Sequence, residues 1–498
     1  MEDQRVIDFE VPVDNEKKCT IFRPFTLAYG IVPVPHCGRR RSTSPHMRAF
    51  WAATMAFTTA FIGWFAFAPL LVYVRKDIGI CDNNDEVQLD VENTKCICKA
   101  QCKTIITNAN VCAVSFDILT RFLLGSVIER IGPALTDVVL LLWGAVVVAC
   151  SAAVTNGSGL IAVRFFVSAL GSTFVVNQFW NSIMFNKSVV GTANATAGGW
   201  GNLGGGLTQV LMPMFYLFFH DGFGMSLHLS WRMAMLIPSC IYVVLAAWIY
   251  TCSQDMPGSS GRFNVTMLGK SSRAGPATYI NCLKDYRVFL MIFQYGACFG
   301  CELVMNTVLA LHFSDNFDVK PAIAGAMALT FGAMNLFARS LGGILSDWMN
   351  TRWAMCGRLW AHFIALFGQA LALFLFGFMT KELGVTPAIL VLALFSIFVN
   401  MAEGTSYGIV PYMIPQELAV VSAMVGAGGT LGAPIALNTF FRFMDNFTAF
   451  KIYSFYILFW ALTVPLMRWD HLGSMWKVVH TTPKEKEATA PSKIEGTL

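Results

Sequence analysis

The sequence predicts an all-α membrane protein with twelve transmembrane helices in two parallel-repeat six-helix halves. Three observations predict it. Of 498 residues, 55% are hydrophobic and only 13% charged, where soluble domains carry roughly 25% charged residues. Apolar runs of ~20 residues, enough to cross a ~30 Å hydrocarbon core, recur about twelve times between Phe50 and Leu466. One frame also occurs twice: Arg121, Gly125 and Glu129 repeat the spacing of Arg339, Gly343 and Asp347, each pair 218 residues apart. Six spans return each copy to the same side, so the repeat is parallel. The net charge of +5 is then a topology signal, and nothing in it points to nucleic acid.

Residues 1–46 read as a cytosolic tail, because Arg39-Arg40-Arg41 precede the first span and basic flanks favour the cytosol. The first twenty residues have no apolar core, so no cleavable signal peptide is expected. The first half, 47–252, opens with a phenylalanine-rich span that includes Phe65 and Phe67. The loop from Arg75 to Lys103 then lies outside and holds Cys81, Cys96, Cys98 and Cys102. An oxidising exterior favours at least one disulfide among them. With no histidine in this loop, no metal site is expected, and no cofactor is implied elsewhere. The other ten cysteines read as small buried apolar residues.

The second span carries Asp117 and Arg121, four apart on one helix face. The fourth carries Arg164, placed where a long side chain can snorkel. The fifth contains the glycine run from Gly198 to Gly206, interrupted by Trp200, Asn202 and Leu203. Residues 253–286 are the longest interior polar segment and are basic, so they form a cytosolic linker. The second half covers 287–470 and is followed by a cytosolic tail, 471–498. Both termini are thus expected inside. Gly201-Asn202-Leu203-Gly204 finds an echo in Gly429-Thr430-Leu431-Gly432, at an offset of 228.

The chemistry centres on the two arginines. Each lies eight residues before its acid at the cytosolic end, Glu129 or Asp347, or ~12 Å at 1.5 Å per residue, near the middle of the membrane. A buried cation there is a functional-site hypothesis. Two at matching depth in facing halves suit an anion between them, and a forked guanidinium suits a planar oxyanion better than an ammonium does. The structural alternative pairs each arginine with a buried acid: Asp117 for Arg121, with Glu302 and Glu403 as further partners. Asn202 has amide hydrogens that can reach an oxyanion. Glu129 and Asp347 read as parts of a cytosolic gate. Two enzyme patterns, Gly199–Gly204 and Gly404–Gly408, fall inside spans rather than at strand–helix turns and are set aside. No enzyme is expected.

GGWGNLGGGLTQ (198–209), VGAGGTLGAP (425–434), YGACFGCEL (295–303) and AGAMALTFGAMNLFARSLGGILSD (324–347) together resemble the nitrate/nitrite porter family of the major facilitators. The likeness runs from about residue 47 to 470. The resemblance implies the major facilitator fold and a high-affinity nitrate uptake transporter working by alternating access, with nitrite as a further substrate. It implies that Arg121 and Arg339 clasp the anion, with Asn202, Gly201, Gly205, Gly429 and Thr430 nearby. Tyr295 and Phe299 match an aromatic pair that covers the anion's face, and Phe65 and Phe67 are further candidates. Proton symport across the plasma membrane is the expected coupling, with Asp117, Glu302 and Glu403 as candidate carriers. A nitrate/nitrite exchanger and a non-transporting nitrate sensor are the alternatives. A small single-span accessory protein accompanies some plant relatives. Two departures stand out: Thr430 replaces an asparagine found in many relatives, and Asp117 replaces a small residue.

Overall fold

The computed structural model describes residues 45–81, 100–185, 190–256, 263–264, 274–317, 319 and 321–479. The first half comprises α1 (Pro45–Phe65), α2 (Phe67–Asp77), α3 (Ala100–Ile131), α4 (Pro133–Cys150), α5 (Gly157–Val167), α6 (Thr173–Met184), α7 (Val190–Phe223) and α8 (Leu227–Cys252). The short α9 (Pro276–Lys284) leads into the second half. That half comprises α10 (Tyr286–Asn316), α11 (Pro321–Ala333), α12 (Ala338–Phe376), α13 (Val385–Ile409), α14 (Leu418–Ala436) and α15 (Asn446–Ala461).

Among the described residues, ten stretches are long and apolar enough to cross a membrane. One of them, Ile323–Phe376, holds two crossings, because Trp353 and Ala354 leave helical geometry inside α12, Ala354 with φ of 51°. The helix α7 stands outside the ten although it has 34 residues, since glycine and asparagine dilute its apolar character. Counting the double stretch twice and adding α7 gives the expected twelve. Short polar signals set the turns. Asn156, Asp285 and Asp445 each accept a backbone N–H at a helix start, which satisfies one of the orphan donors there. Gly132 supplies a φ of 83° immediately before Pro133, an order that suits a tight turn into a first helical proline.

Packing follows the glycine pattern. Gly201 abuts the ring of Phe57 and Gly204 the carbonyl of Thr58, so α7 lies against α1 with no room for a side chain. A Cβ on Gly300 would come within 2.7 Å of the Gly432 backbone, which brings α10 equally close to α14. Without a hydrophobic driving force between helices in lipid, such close approach supplies the association energy through van der Waals contact.

Three findings depart from expectation. Arg164 does not snorkel: it is buried, and its Nε and Nη1 have no hydrogen-bond partner among the described residues. Arg358 stands just past an apolar stretch, where a basic residue normally marks a solvated loop, yet it is fully buried. The segment read as a plain tail from residue 471 begins as part of a small antiparallel sheet, β1 (Arg468–Trp469), β2 (Gly473–Ser474) and β3 (Lys477–Val478). That sheet is pinned to the bundle by Trp360 Nε1, which donates to the Met475 carbonyl at 3.0 Å, and by Trp469 Nε1, which donates to the Tyr412 carbonyl at 3.0 Å. Of the loop cysteines, Cys81 and Cys102 are described, while Cys96 and Cys98 lie outside the described residues.

Candidate functional site

The two halves meet in one polar layer built from seven helices, α3, α6, α7, α10, α12, α13 and α14. Arg121 on α3 is fully buried. Its Nε forms an ion pair with Asp117 Oδ2 at 2.6 Å, and its Nη2 and Nη1 donate to the carbonyls of Gly171 (2.7 Å) and Gly426 (3.2 Å). The last bond crosses from the first half to the second. Asp117 is satisfied in turn by Ser172 Oγ (3.0 Å) and by Thr430 Oγ1 (2.7 Å), again across the halves. The departure at Thr430 thus has a local role as a donor to the departure at Asp117.

Arg339 on α12 is the matching cation. Its Nη1 forms an ion pair with Glu403 Oε2 on α13, and its Nη2 donates to the Tyr295 hydroxyl at 3.1 Å. Its Nε has no hydrogen-bond partner among the described residues, and neither does Glu403 Oε1. Asn202 on α7 points its amide at two acids at once, at 2.7 Å from Glu302 Oε2 and 3.3 Å from Glu403 Oε2. Asn335 Nδ2 holds the other oxygen of Glu302 at 2.7 Å. Both arginines therefore have acid partners in this conformation, which is the structural alternative to a ligand site.

Aromatic rings fill the space between the cations. The Phe174 ring centre lies 5.1 Å from Arg121 Cζ and 5.4 Å from Arg339 Cζ. Phe299 lies 5.0 Å from Arg121 Cζ. Tyr295 and Phe299 both run nearly parallel to Phe174, at 11° in each case. Such contacts favour a guanidinium over a ring face.

The glycines of the two repeated motifs make room for these groups. An ideal Cβ on Gly198 would lie 2.9 Å from Arg339 Nε, and one on Gly429 would lie 2.5 Å from Tyr295 Cδ1. Gly205 would meet Phe65 at 3.3 Å, whereas Gly201 faces Phe57. Of the residues singled out from sequence, Arg121, Arg339, Asn202, Tyr295, Phe299, Thr430, Asp117, Glu302 and Glu403 are in this layer. Gly201 and Phe67 are not brought to the arginines: the Phe67 ring packs on Trp231, with centroids 6.5 Å apart. Phe174 and Ser172 belong to the layer and carry no signal in the sequence pattern, while Asn335 and Gly426 lie inside the quoted motifs without standing out there.

Glu129 and Asp347, the acids expected at a gate, lie about two helical turns beyond their arginines. Asp347 Oδ2 accepts from Thr192 N and Thr192 Oγ1, both at 2.7 Å, while its Oδ1 lies 2.7 Å from Arg358 Nη2. It therefore links α7 of the first half to α12 of the second. Glu129 is buried and accepts from the Ala274 backbone N–H at 2.6 Å. Among the described residues, no group of three or more metal-ligating side chains occurs.

Comparison with known proteins agrees with this architecture. Residues 53–437 match the model of the Major Facilitator Superfamily. The chain is similar to the "High affinity nitrate transporter 2.5" of Arabidopsis thaliana, with 35% identity covering 87% of this chain and 78% of that protein. It is likewise similar to the "Nitrate transporter 2.1" of Chlamydomonas reinhardtii, at 34% identity over 82% of this chain and 70% of that protein. More distant is the "Nitrate/nitrite transporter NrtP" of Nostoc punctiforme, at 22% identity over 82% and 90%. Among solved structures, the human organic anion transporter MFSD10 superposes with a TM-score of 0.57 at 13% identity, over 85% of this chain and 100% of that one. The E. coli fucose:proton symporter FucP gives 0.56 at 14% identity, over 84% and 99%. At these identities the solved structures speak for the fold alone.

Proposed function

We propose, for a chain that belongs to the major facilitator superfamily and to its nitrate/nitrite porter family, that it takes up nitrate by proton-coupled alternating access. The observation that carries this reading is the buried layer in which Arg121 and Arg339, one from each half, share the ring of Phe174. The names of the curated relatives supply the substrate, nitrate, with nitrite as a second substrate of the same charge and a similar planar shape.

Charge supports the coupling. The layer holds two guanidinium groups and three carboxyls, Asp117, Glu302 and Glu403, all buried. Fully ionised, it carries one net negative charge, which repels an incoming anion. Asp117 has a cation and two hydroxyl donors of its own. Glu302 and Glu403 share the amide of Asn202, with Arg339 paired to Glu403 and Asn335 donating to Glu302. They are the acids proposed to carry the coupled proton. Protonation of Glu403 releases Arg339, whose Nη1 and Nε then offer donors to nitrate beside Phe174. Nitrate entering a negative-inside cell works against ~2.3 kcal/mol per charge at 100 mV, so accumulation needs this second ion. Asp137, a further buried acid, takes no part in the bonds of the layer.

The Asp347 end is read as cytosolic, with Asp347 and Glu129 closing it, both termini inside, and the outer-loop cysteines oxidised to a disulfide. The protein is placed in the plasma membrane, surrounded by lipid, and a single-span accessory partner is included as a co-expression arm. The test is nitrate-evoked current and labelled nitrate uptake in oocytes at two external pH values, with and without such a partner. Inward current that grows on acidification is expected. Exchange that does not depend on pH would falsify proton symport and favour nitrate/nitrite exchange. Binding without any uptake would favour a sensor. In the same assay Arg339→Lys, at normal surface expression, is expected to abolish uptake, because a single ammonium cannot replace the fork.

A further inference from the structure

A second cluster of buried polar side chains lies between the arginine layer and the Asp347 end. On α6, Asn177, Gln178 and Asn181 follow Phe174 at helical spacings of three, four and seven, the periods that keep side chains on neighbouring faces of a helix. All three are fully buried, as is Asn194 on α7. Gln178 Nε2 donates to Asn177 Oδ1 at 2.8 Å and to the Asn194 carbonyl at 3.1 Å. Asn181 Nδ2 donates to the Asn177 carbonyl at 2.9 Å, and Asn194 Nδ2 to Ser182 Oγ at 2.8 Å.

Four amide atoms in this cluster have no hydrogen-bond partner among the described residues: Asn177 Nδ2, Gln178 Oε1, Asn181 Oδ1 and Asn194 Oδ1. Across the interface, Gly426 of α14 packs against Val175 and Phe174. One turn earlier on the same helix, Ser422 is buried and its Oγ is unpartnered in the same sense. A cluster serving only to join α6 to α7 would satisfy its own amides, because an unpaired buried polar group is costly. Of these five atoms, Asn177 Nδ2 and the Ser422 hydroxyl, one on each side of the seam, are donors that can meet an anion when the halves part, whereas the three amide oxygens only accept.

We infer that this amide seam is a second, weaker station for the anion, occupied on its way from the arginine layer to the Asp347 end. The inference rests on the transport function proposed for the arginine layer. The chemistry differs from that of the first site in a useful way. The Asn177 amide and the Ser422 hydroxyl donate to an oxyanion but carry no charge, so they hold nitrate loosely enough to let it go. Asn177, with a free Nδ2 one turn from Phe174, is the first donor the anion meets. Thr192 and Asp347 close the far end of the seam until the halves separate there.

The test uses the full chain purified in detergent and reconstituted in liposomes, with Asn177→Leu and Asn177→Ser beside the wild type. Nitrate binding is read from the nitrate-dependent thermal shift, and turnover from labelled nitrate uptake at equal reconstituted protein. Asn177→Leu is expected to keep its half-saturating nitrate concentration for the shift within about twofold while maximal uptake falls by about tenfold or more. Asn177→Ser retains a donor and is expected to recover most of the uptake. It also serves where the leucine variant does not fold. Wild-type turnover in the leucine variant overturns the station, and so does equal loss of binding and uptake, which would put Asn177 in the first site. A wild type that shows neither shift nor uptake fails the transport reading instead, a result recognisable before any variant is made.

Discussion

Glu302 and Glu403 accept from the same donor, Asn202 Nδ2, at 2.7 and 3.3 Å. One amide N–H₂ thus serves two carboxyls drawn from different helices of the second half, and the amide comes from the first half. Two negative charges on one donor repel each other. Replacing Glu403 by glutamine removes the titrating partner of Arg339 while keeping its shape. In proteoliposomes, Glu403→Gln is expected to retain nitrate/nitrate counterflow but to lose uphill uptake driven by a pH gradient. Wild-type accumulation by that variant would remove the acid pair from the coupling. Glu302→Gln is expected to have the milder form of the same defect, since Glu302 is held by amides rather than by an arginine.

The glycine of the second motif can be tested by the space it leaves. A Cβ on Gly429 would sit 2.5 Å from Tyr295 Cδ1 and 2.9 Å from Phe299 Cδ1. Tyr295 holds Arg339, Phe299 lies over Arg121, and both rings run parallel to Phe174, so they cannot step aside without disturbing the two cations. Gly429→Ala is expected to cost about 1–3 kcal/mol, seen as a rise of about fivefold or more in half-saturating nitrate. Gly222→Ala is the control: among the described residues nothing lies within 4 Å of its Cβ, and uptake should be unchanged.

Much of this layer was legible in the sequence because charge in an apolar span is rare and therefore conspicuous. Arg121, Arg339 and the three acids stand out for that reason, and the 218-residue repeat ties the arginines together. Phe174 does not stand out. It is one of 41 phenylalanines, and its position between two guanidinium groups depends on how α6 packs against both halves, which no local spacing encodes. Asn335 is hidden because it precedes the arginine motif in a 3-10 turn, Met334–Leu336, that breaks the helical period. Arg358 misleads because a basic residue just past a span normally marks a solvated loop. Here the Trp353–Ala354 turn folds it back into the bundle, where Ser346 and Asp347 hold it. The two-residue strands after Leu466 are too short to leave any alternation in the sequence.

The far end of the bundle offers a prediction about pH. Asp77 closes α2 and joins it to α8: Oδ2 accepts from Arg232 Nη1 (2.6 Å) and Trp231 Nε1 (3.0 Å), and Oδ1 lies 2.9 Å from His228 Nδ1. Burial pushes this carboxyl up, but the bonds from Arg232, Trp231 and His228 outweigh it and hold Asp77 below the ordinary carboxylate range. A depressed folded pKa means the stabilisation is complete above the unfolded value of ~3.9 and is lost only as pH falls through the lower folded value. The Asp77 carboxyl therefore stays ionised through the range in which uptake is assayed. Asp77→Asn is expected to lower the melting temperature, from a loss of about 1.5–3 kcal/mol, at both about pH 5.5 and about pH 7.5. The pH profile of uptake should not move. A shifted profile would bring this cluster into the coupling.

Asp117 decides how much charge Arg121 offers. Its Oδ2 takes both the 2.6 Å ion pair from Arg121 and the 2.7 Å bond from Thr430, so one oxygen ties the first half's cation to the second half's motif. In Asp117→Asn the arginine keeps its carbonyl partners, Gly171 and Gly426, but has no counterion, and the layer becomes one charge more positive. A buried cation without its acid is expensive, and nitrate can then fill that role. The variant is expected to bind nitrate more tightly and release it more slowly. Half-saturating nitrate should fall severalfold and maximal uptake should fall with it, measured at equal surface expression. Thr430→Val removes only the hydroxyl donor and should move both constants in the same direction by less. If Asp117→Asn weakened nitrate binding instead, Asp117 would be positioning Arg121 rather than competing with the anion for it, and charge competition would be ruled out on that side of the site.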